Sequence, residues 1–203
     1  MLFYNTIESS TLDLLKKIQY ESFFENCRLV GGTALALQYG HRKSIDLDFF
    51  GSFESDAMSV KAILQKIGRY QIIQESKFIF QYIVDGVKVD FVNYPYAWIS
   101  PKVEEDSLVL ASPKDIASMK LSAITNRGTK KDFIDLYELL EHFTLEQMFG
   151  FYQEKYTDAI PFMTLKSLTW FEDAEEDPMP FMLKDYSWES VKTKIKAEVA
   201  RLG

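Results

Sequence analysis

The segment Ser44-Ile45-Asp46-Leu47-Asp48-Phe49-Phe50-Gly51 alternates Ile45, Leu47 and Phe49 with Asp46, Asp48 and Phe50. A period of two belongs to a β-strand, whose successive side chains point to opposite faces. The pattern predicts one strand with two carboxylates on the same face, set in a segment that otherwise reads as buried. Acids beside so much apolar surface are costly unless a partner such as a cation offsets them. A D-x-D pair by itself is more often a solvated strand face, so its meaning depends on what lies around it.

Composition narrows the choice of cation. The 203 residues include one cysteine, Cys27, and two distant histidines, His41 and His142, so zinc-type sites lack ligands and no disulfide framework is available. Carboxylate-held Mg²⁺ needs neither residue. Thirty acids against 23 bases leave a net charge of −7, which speaks against a sequence-blind DNA coat and confines nucleic-acid contact to a local patch. The N-terminus, MLFYNTIESSTLDLLKK, carries no basic stretch followed by an apolar run. No stretch approaches the roughly 18 to 20 uninterrupted apolar residues of a membrane span. The expectation is a cytoplasmic chain with no membrane partner.

Local patterns predict the rest of the architecture. Ser10-Thr11-Leu12-Asp13 resembles a capping box ahead of a helix that should end near Asn26. CRLV reads as a short buried strand closed by Gly31-Gly32, and Thr33 to Tyr39 as a helix stopped by Gly40 in the left-handed region. A helix over 56–68 precedes two strands, SKFIFQYIVD and VKVDFVNY, joined by the hairpin pair Asp85-Gly86. The stretch around Pro95 and Pro101 reads as irregular. Ser112-Pro113-Lys114-Asp115 starts a helix to about Asn126, and DFIDLYELLEHF is a further helix. The remaining residues look helical and aromatic, interrupted by the acidic run 172–178. The predicted class is α+β: a mixed sheet with flanking helices over 1–105, then a helical region over 106–203.

Three features follow one another in an order that carries chemistry: Gly31-Gly32-Thr33, then Asp46-x-Asp48, then Asp90 in a later strand. Glycines at a strand-to-helix turn let backbone N–H groups approach a phosphate, and the Thr33 hydroxyl can add a donor where the helix dipole favours an anion. Two carboxylates on one strand and a third on a neighbour can share divalent cations with substrate phosphates.

The stretch LVGGTALALQYGHRKSIDLDFF resembles the first motif of the nucleotidyltransferase-like AbiEii/AbiGii toxin family, which has the DNA polymerase β-type nucleotidyltransferase core. Gly32, Thr33, Asp46, Asp48 and Asp90 match the superfamily pattern, and Arg42 and Ser44 match the Arg and small hydroxyl residue that precede D-x-D-F. SPKDIASMKLSAITNRGTKKDFIDLYELL is similar to the family's later motifs through Lys120, Arg127, Lys131-Asp132 and Asp135-Leu136.

The resemblance implies a Mg²⁺-dependent enzyme that moves a nucleoside monophosphate from an NTP to a tRNA end or a protein hydroxyl. Its role would be that of a toxin with a cognate antitoxin. Asp46, Asp48 and Asp90 are the expected metal ligands and, with Lys120, the catalytic set. Gly31, Gly32, Thr33, Arg42, Ser44, Arg127 and Asp132 are the expected nucleotide-binding residues. Asp132, in the first turn of its helix, is read either as a cap or as the group orienting Lys120 or Arg127. Two alternatives accompany this reading. One is a small-molecule, aminoglycoside-type nucleotidyltransferase, which an acidic protein would suit; the other is a non-catalytic nucleotide-binding protein.

Overall fold

A computed structural model describes residues 1–54 and 56–202. The chain forms two compact units. The first comprises Met1–Gln38, Ser44–Pro95 and Lys102–Ala111; the second takes Tyr39–Lys43, Tyr96–Pro101 and the described residues from Ser112 onward. The chain therefore passes between the units several times, where a single boundary after residue 105 is the expectation from sequence.

The first unit contains α1 (Ser9–Tyr20), β1 (Cys27–Val30), α2 (Gly31–Tyr39, whose last residue groups with the second unit), β2 (Leu47–Gly51), α3 (Ala57–Ile67), β3 (Tyr70–Glu75), β4 (Ile79–Val84), β5 (Val87–Asn93), β6 (Val103–Glu105) and β7 (Leu108–Leu110). Its strands form one mixed sheet in the order β3-β4-β5-β2-β1-β7-β6. The β2–β5 and β1–β7 pairs are parallel and the others antiparallel. Asp85 and Gly86 both take positive φ, 47° and 87°, which is the two-residue turn that matches strand twist in a hairpin. Gly40 likewise has φ 69°, as expected after α2.

The core side of this sheet is aromatic. Phe91 of β5 stacks on Phe24 at 4.3 Å and on Phe49 of β2 at 5.4 Å. Leu47, Phe49, Val89 and Phe91 are fully buried, so the alternation read from the sequence does separate a core face from the face that carries the acids.

Several local expectations are corrected. The start of α1 is Ser9, so Ser10 lies inside the helix; Glu8 is the cap residue and no side chain caps it. The helix stops at Tyr20, and a 3₁₀ turn over Ser22–Phe24 delivers Phe24 to the core. Strand β2 begins at Leu47, which leaves Asp46 just before it and Ile45 exposed at 65%. The strands β3, β6 and β7 have no counterpart in the sequence reading. β3 is largely exposed and bulged between Ile72 and Gln74, which removes its alternation, and the other two have three residues each.

The second unit is helical: α4 (Pro113–Asn126), α5 (Lys130–Leu139), α6 (Leu145–Lys155), α7 (Pro161–Ser167), α8 (Glu172–Glu175) and α9 (Trp188–Leu202). Ser112 accepts the Asp115 N–H at 3.1 Å and Pro113 opens α4, as its sequence predicts. Asp115 is fully buried; it accepts from Ile99 N–H at 3.0 Å and Lys155 Nζ at 2.8 Å, which fastens the 96–101 segment to this unit. Phe133, Leu136, Leu139, Met148, Val191 and Ile195 fill its apolar core. Among the described residues no helix is long and apolar enough to cross a membrane.

Truncating Phe91 removes the ring between Phe24 and Phe49. Phe91→Ala should lower stability by about 3–5 kcal/mol in urea unfolding. Phe162→Ala, at a residue 71% exposed, should stay within about 0.5 kcal/mol of the parent.

Candidate active site

Asp48 and Asp90 are neighbours beside the turn from β1 into α2. Gly31 has φ 69°, a conformation that other residues adopt at a cost of about 1–2 kcal/mol, and a Cβ built there would overlap the Asp48 carboxylate. Only glycine brings the helix start this close to Asp48. In β2, Asp48 lies level with Val30 of β1 on one side and with Asp90 of β5 on the other. Level residues on adjacent strands share a face, so Asp48 and Asp90 lie side by side on the face opposite Phe49 and Phe91.

Asp90 is 9% exposed, and its two oxygens are treated differently. Oδ2 accepts from Lys88 Nζ at 2.6 Å and from Gln81 Nε2 at 2.7 Å. Oδ1 is buried and has no hydrogen-bond partner. An unsatisfied buried acceptor costs about 1–3 kcal/mol and more when charged, so this oxygen is the atom of the site most in need of a ligand.

Thr33 has a different place from the one expected of a phosphate donor. The residue is 1% exposed; its hydroxyl bonds the Asp46 carbonyl, and it lies 2.8 Å from the Ser44 hydroxyl. A hydroxyl has one proton and a carbonyl only accepts. Thr33 therefore donates to Asp46, and Ser44 donates to Thr33. The pair fixes the backbone that carries Asp46, leaving no Thr33 proton for a ligand. Gly32 follows at the helix start and is partly exposed, as are Asp46 and Asp48.

Among the described residues, no three Asp, Glu, His or Cys side chains already converge to hold a metal ion. The donor chemistry nevertheless fits a hard cation. The oxygens are carboxylates, one of them is orphaned, and adjacent like charges are relieved by a divalent ion.

The remaining expected residues, Arg42, Lys120, Arg127 and Asp132, belong to the second unit, where α5 presents Asp132, Asp135 and Glu138 three residues apart. Asp135 is fully buried; it accepts from His41 Nε2 at 2.8 Å, from Arg42 at 2.7 and 2.9 Å, and from Lys120 at 2.5 Å. Asp132 is bonded by Lys120 at 3.0 Å, by Arg127 at 3.0 and 3.3 Å, and by Thr129 at 2.7 Å. Glu138 takes Lys184 at 2.7 Å, Tyr186 at 2.6 Å and His142 at 3.1 Å.

Burial alone would raise all three carboxyl pKa values, but these partners outweigh it and hold each below its ordinary range. Burial would likewise lower that of Lys120, and Asp135 and Asp132 instead hold it above its ordinary value. Arg42 and Lys120 are thus buried cations locked to carboxylates, where the sequence reading has them open to phosphate; Arg127 alone of the three is largely exposed. Asp132 is both a first-turn acid and the group that orients Lys120 and Arg127, which joins the two alternatives left open for it.

Sequence reasoning missed Gln81 and Lys88. The Lys88-x-Asp90 spacing was available as a same-face pair, whereas Gln81 needed the β4–β5 register. Part of the acidic run is also engaged: Glu175 bonds Lys192 and Trp188, each at 2.8 Å, and Asp177 accepts the Lys130 N–H at 2.9 Å.

Known proteins supply an independent line. A family model described as nucleotidyl transferase AbiEii toxin of the type IV toxin–antitoxin system matches residues 13–198. An uncharacterized protein of Aquifex aeolicus (strain VF5) is 35% identical over 193 residues, covering 92% of this chain and 93% of its own. Two solved structures have a similar fold. MenT4, a nucleotidyltransferase toxin of Mycobacterium tuberculosis H37Rv, is 17% identical with a TM-score of 0.63, over 94% of this chain and 82% of MenT4. JHP933 of Helicobacter pylori is 17% identical with a TM-score of 0.59, over 97% of this chain and 93% of that one.

Because the Asp132 and Asp135 carboxyls sit below their ordinary value of 3.8, unfolding takes up protons below that pH. The stability they contribute is complete above about pH 4 and is lost as pH falls through their folded values. Asp135→Asn should cost about 3–5 kcal/mol at pH 7, because Arg42 and Lys120 lose their buried partner. Urea midpoints measured from pH 7 down to pH 2 should fall less steeply below pH 4 in this variant than in the parent.

Proposed function

Because the chain belongs to the nucleotidyl transferase AbiEii toxin family and is thereby a nucleotidyltransferase, we propose that it moves a nucleoside monophosphate from an NTP to a tRNA end or a protein hydroxyl. In the reaction an acceptor oxygen bonds the α-phosphorus, the bond from that phosphorus to the β-phosphate oxygen breaks, and pyrophosphate leaves. The single observation that carries the assignment of the site is the level placement of Asp48 and Asp90 on parallel strands, with Asp90 Oδ1 buried and bare.

Asp46, Asp48 and Asp90 would hold Mg²⁺, which when bound supplies positive charge to the α-phosphate oxygens and the departing pyrophosphate. Asp90 would also help to take the proton of the attacking hydroxyl. Gly31 and Gly32 offer backbone N–H groups at the start of α2 to the triphosphate. Thr33 and Ser44 act one step back by fixing the Asp46 backbone. In the second unit Lys120 and Arg42 are spent on Asp132 and Asp135, and of these cations Arg127 is the one left largely exposed. The two carboxylates around Lys120 keep its ammonium charged and in place.

A toxin of this family also implies a cognate antitoxin and a cytoplasmic setting. Among acceptors, a polycationic small molecule is less well supported, since Glu175 and Asp177 are engaged with Lys192, Trp188 and Lys130.

Incubating the protein with each radiolabelled NTP, Mg²⁺, total tRNA and cell extract should label one acceptor band. Asp46→Ala and Asp90→Asn should each abolish that band while keeping the parent's circular dichroism spectrum. Undiminished labelling by either variant would remove that residue from the mechanism.

A further inference from the structure

We propose that Lys88 is a built-in counter-ion that occupies the Asp90 carboxylate until a divalent cation displaces it, and that Gln81 holds the carboxylate still during the exchange. The inference rests on the metal-binding reading of Asp90 given above and assigns two residues that reading does not contain.

The geometry points to exchange because of how the donors divide between the two oxygens. Lys88 lies two residues before Asp90 on β5, so both side chains leave the same face. Gln81 lies level with Asp90 on the antiparallel neighbour β4 and reaches the same face. Both donate to Oδ2, at 2.6 and 2.7 Å, while Oδ1 is left bare and buried. One oxygen is doubly donated, and its twin, though buried, receives no donor at all.

The two donors also differ in what they can do next. The Lys88 side chain is 38% exposed, on a flexible four-carbon stem, so its ammonium can swing into water at little solvation cost. The Gln81 amide is neutral and can keep its bond when a second positive charge arrives. With no cation bound, Lys88 offsets the charge that Asp90 places beside Asp48; with one bound, its ammonium would face a like charge across the same carboxylate. Lys88 therefore sets a threshold on cation affinity, and Gln81 preserves the orientation of Oδ1.

The test measures cation binding directly, with Mn²⁺ as the probe and no NTP present. Free Mn²⁺ is followed by electron paramagnetic resonance for the parent, Lys88→Met and Asp90→Asn. Lys88→Met should bind Mn²⁺ roughly two- to fivefold more tightly than the parent, the equivalent of one partly exposed ion pair. Asp90→Asn should lose most of the binding. In the parent, acetylation of Lys88 by an N-hydroxysuccinimide ester at fixed pH, read by peptide mass spectrometry, should speed up when Mn²⁺ is added, with Lys16 as an unaffected control.

Equal or weaker Mn²⁺ binding by Lys88→Met, alongside lost binding in Asp90→Asn, would overturn the counter-ion role and leave the metal site standing. Unchanged Lys88 acetylation would likewise exclude displacement. Unaltered Mn²⁺ binding by Asp90→Asn would overturn the metal assignment of Asp90 and the counter-ion role together.

Discussion

A carboxylate taken out of water is tolerable only where donors surround it, and that requirement shapes both units. In the second unit it is met on α5, whose Asp132, Asp135 and Glu138 draw in partners from distant parts of the sequence. Arg42 and His41 arrive from the 39–43 segment, Lys120 from α4, and Lys184 and Tyr186 from the chain before α9. Removing one partner of such a buried pair leaves a bare charge at a cost of several kcal/mol. The apolar residues between the acids, Phe133, Ile134 and Leu136, supply the hydrophobic driving force, and the ion pairs select which segments pack there.

The first unit handles the same problem differently. Asp48 and Asp90 are set level on neighbouring strands, an arrangement that like charges resist, and the main chain is drawn close at Gly31 instead of being kept away. Asp135 has all its acceptor capacity filled by neighbours from its own chain; Asp90 has one oxygen filled and one bare. A saturated carboxylate is a fixture of the fold. One left half-satisfied against a sheet retains an unmet demand for a donor or a cation. That contrast distinguishes the two kinds of acid, which residue type and burial alone do not.

The same contrast explains what could be read in advance. The alternation from Leu47 to Phe50, the Asp85-Gly86 turn and the Ser112-Pro113 helix start are local patterns whose physics acts within a few residues, and each produces the expected element. The order Gly31, Asp46, Asp48, Asp90 was legible for the same reason. The role of Thr33 was not, because whether its single proton goes to a phosphate or to the Asp46 carbonyl depends on how the 44–46 backbone returns to the helix. Arg42 and Lys120 look like phosphate ligands in sequence and are buried ion-pair partners in the structure, since Asp135 lies 93 positions from Arg42. Strands of three residues, such as β6 and β7, exist through their pairing in the sheet and leave no periodic trace.

The net charge of −7 changes meaning once its members are placed. Asp132, Asp135, Glu138, Asp115, Glu175 and Asp177 are bonded within the second unit, most of them to Lys or Arg, so they add little to the field that an incoming molecule feels. Asp46, Asp48 and Asp90 are of a different kind, because a cation on them would reverse the local sign and turn a repulsive patch into one that attracts a triphosphate. Overall acidity is therefore a poor guide to what this chain binds. On the proposed reading, the charge that matters at the site is the balance among three aspartates, Lys88 and a bound cation.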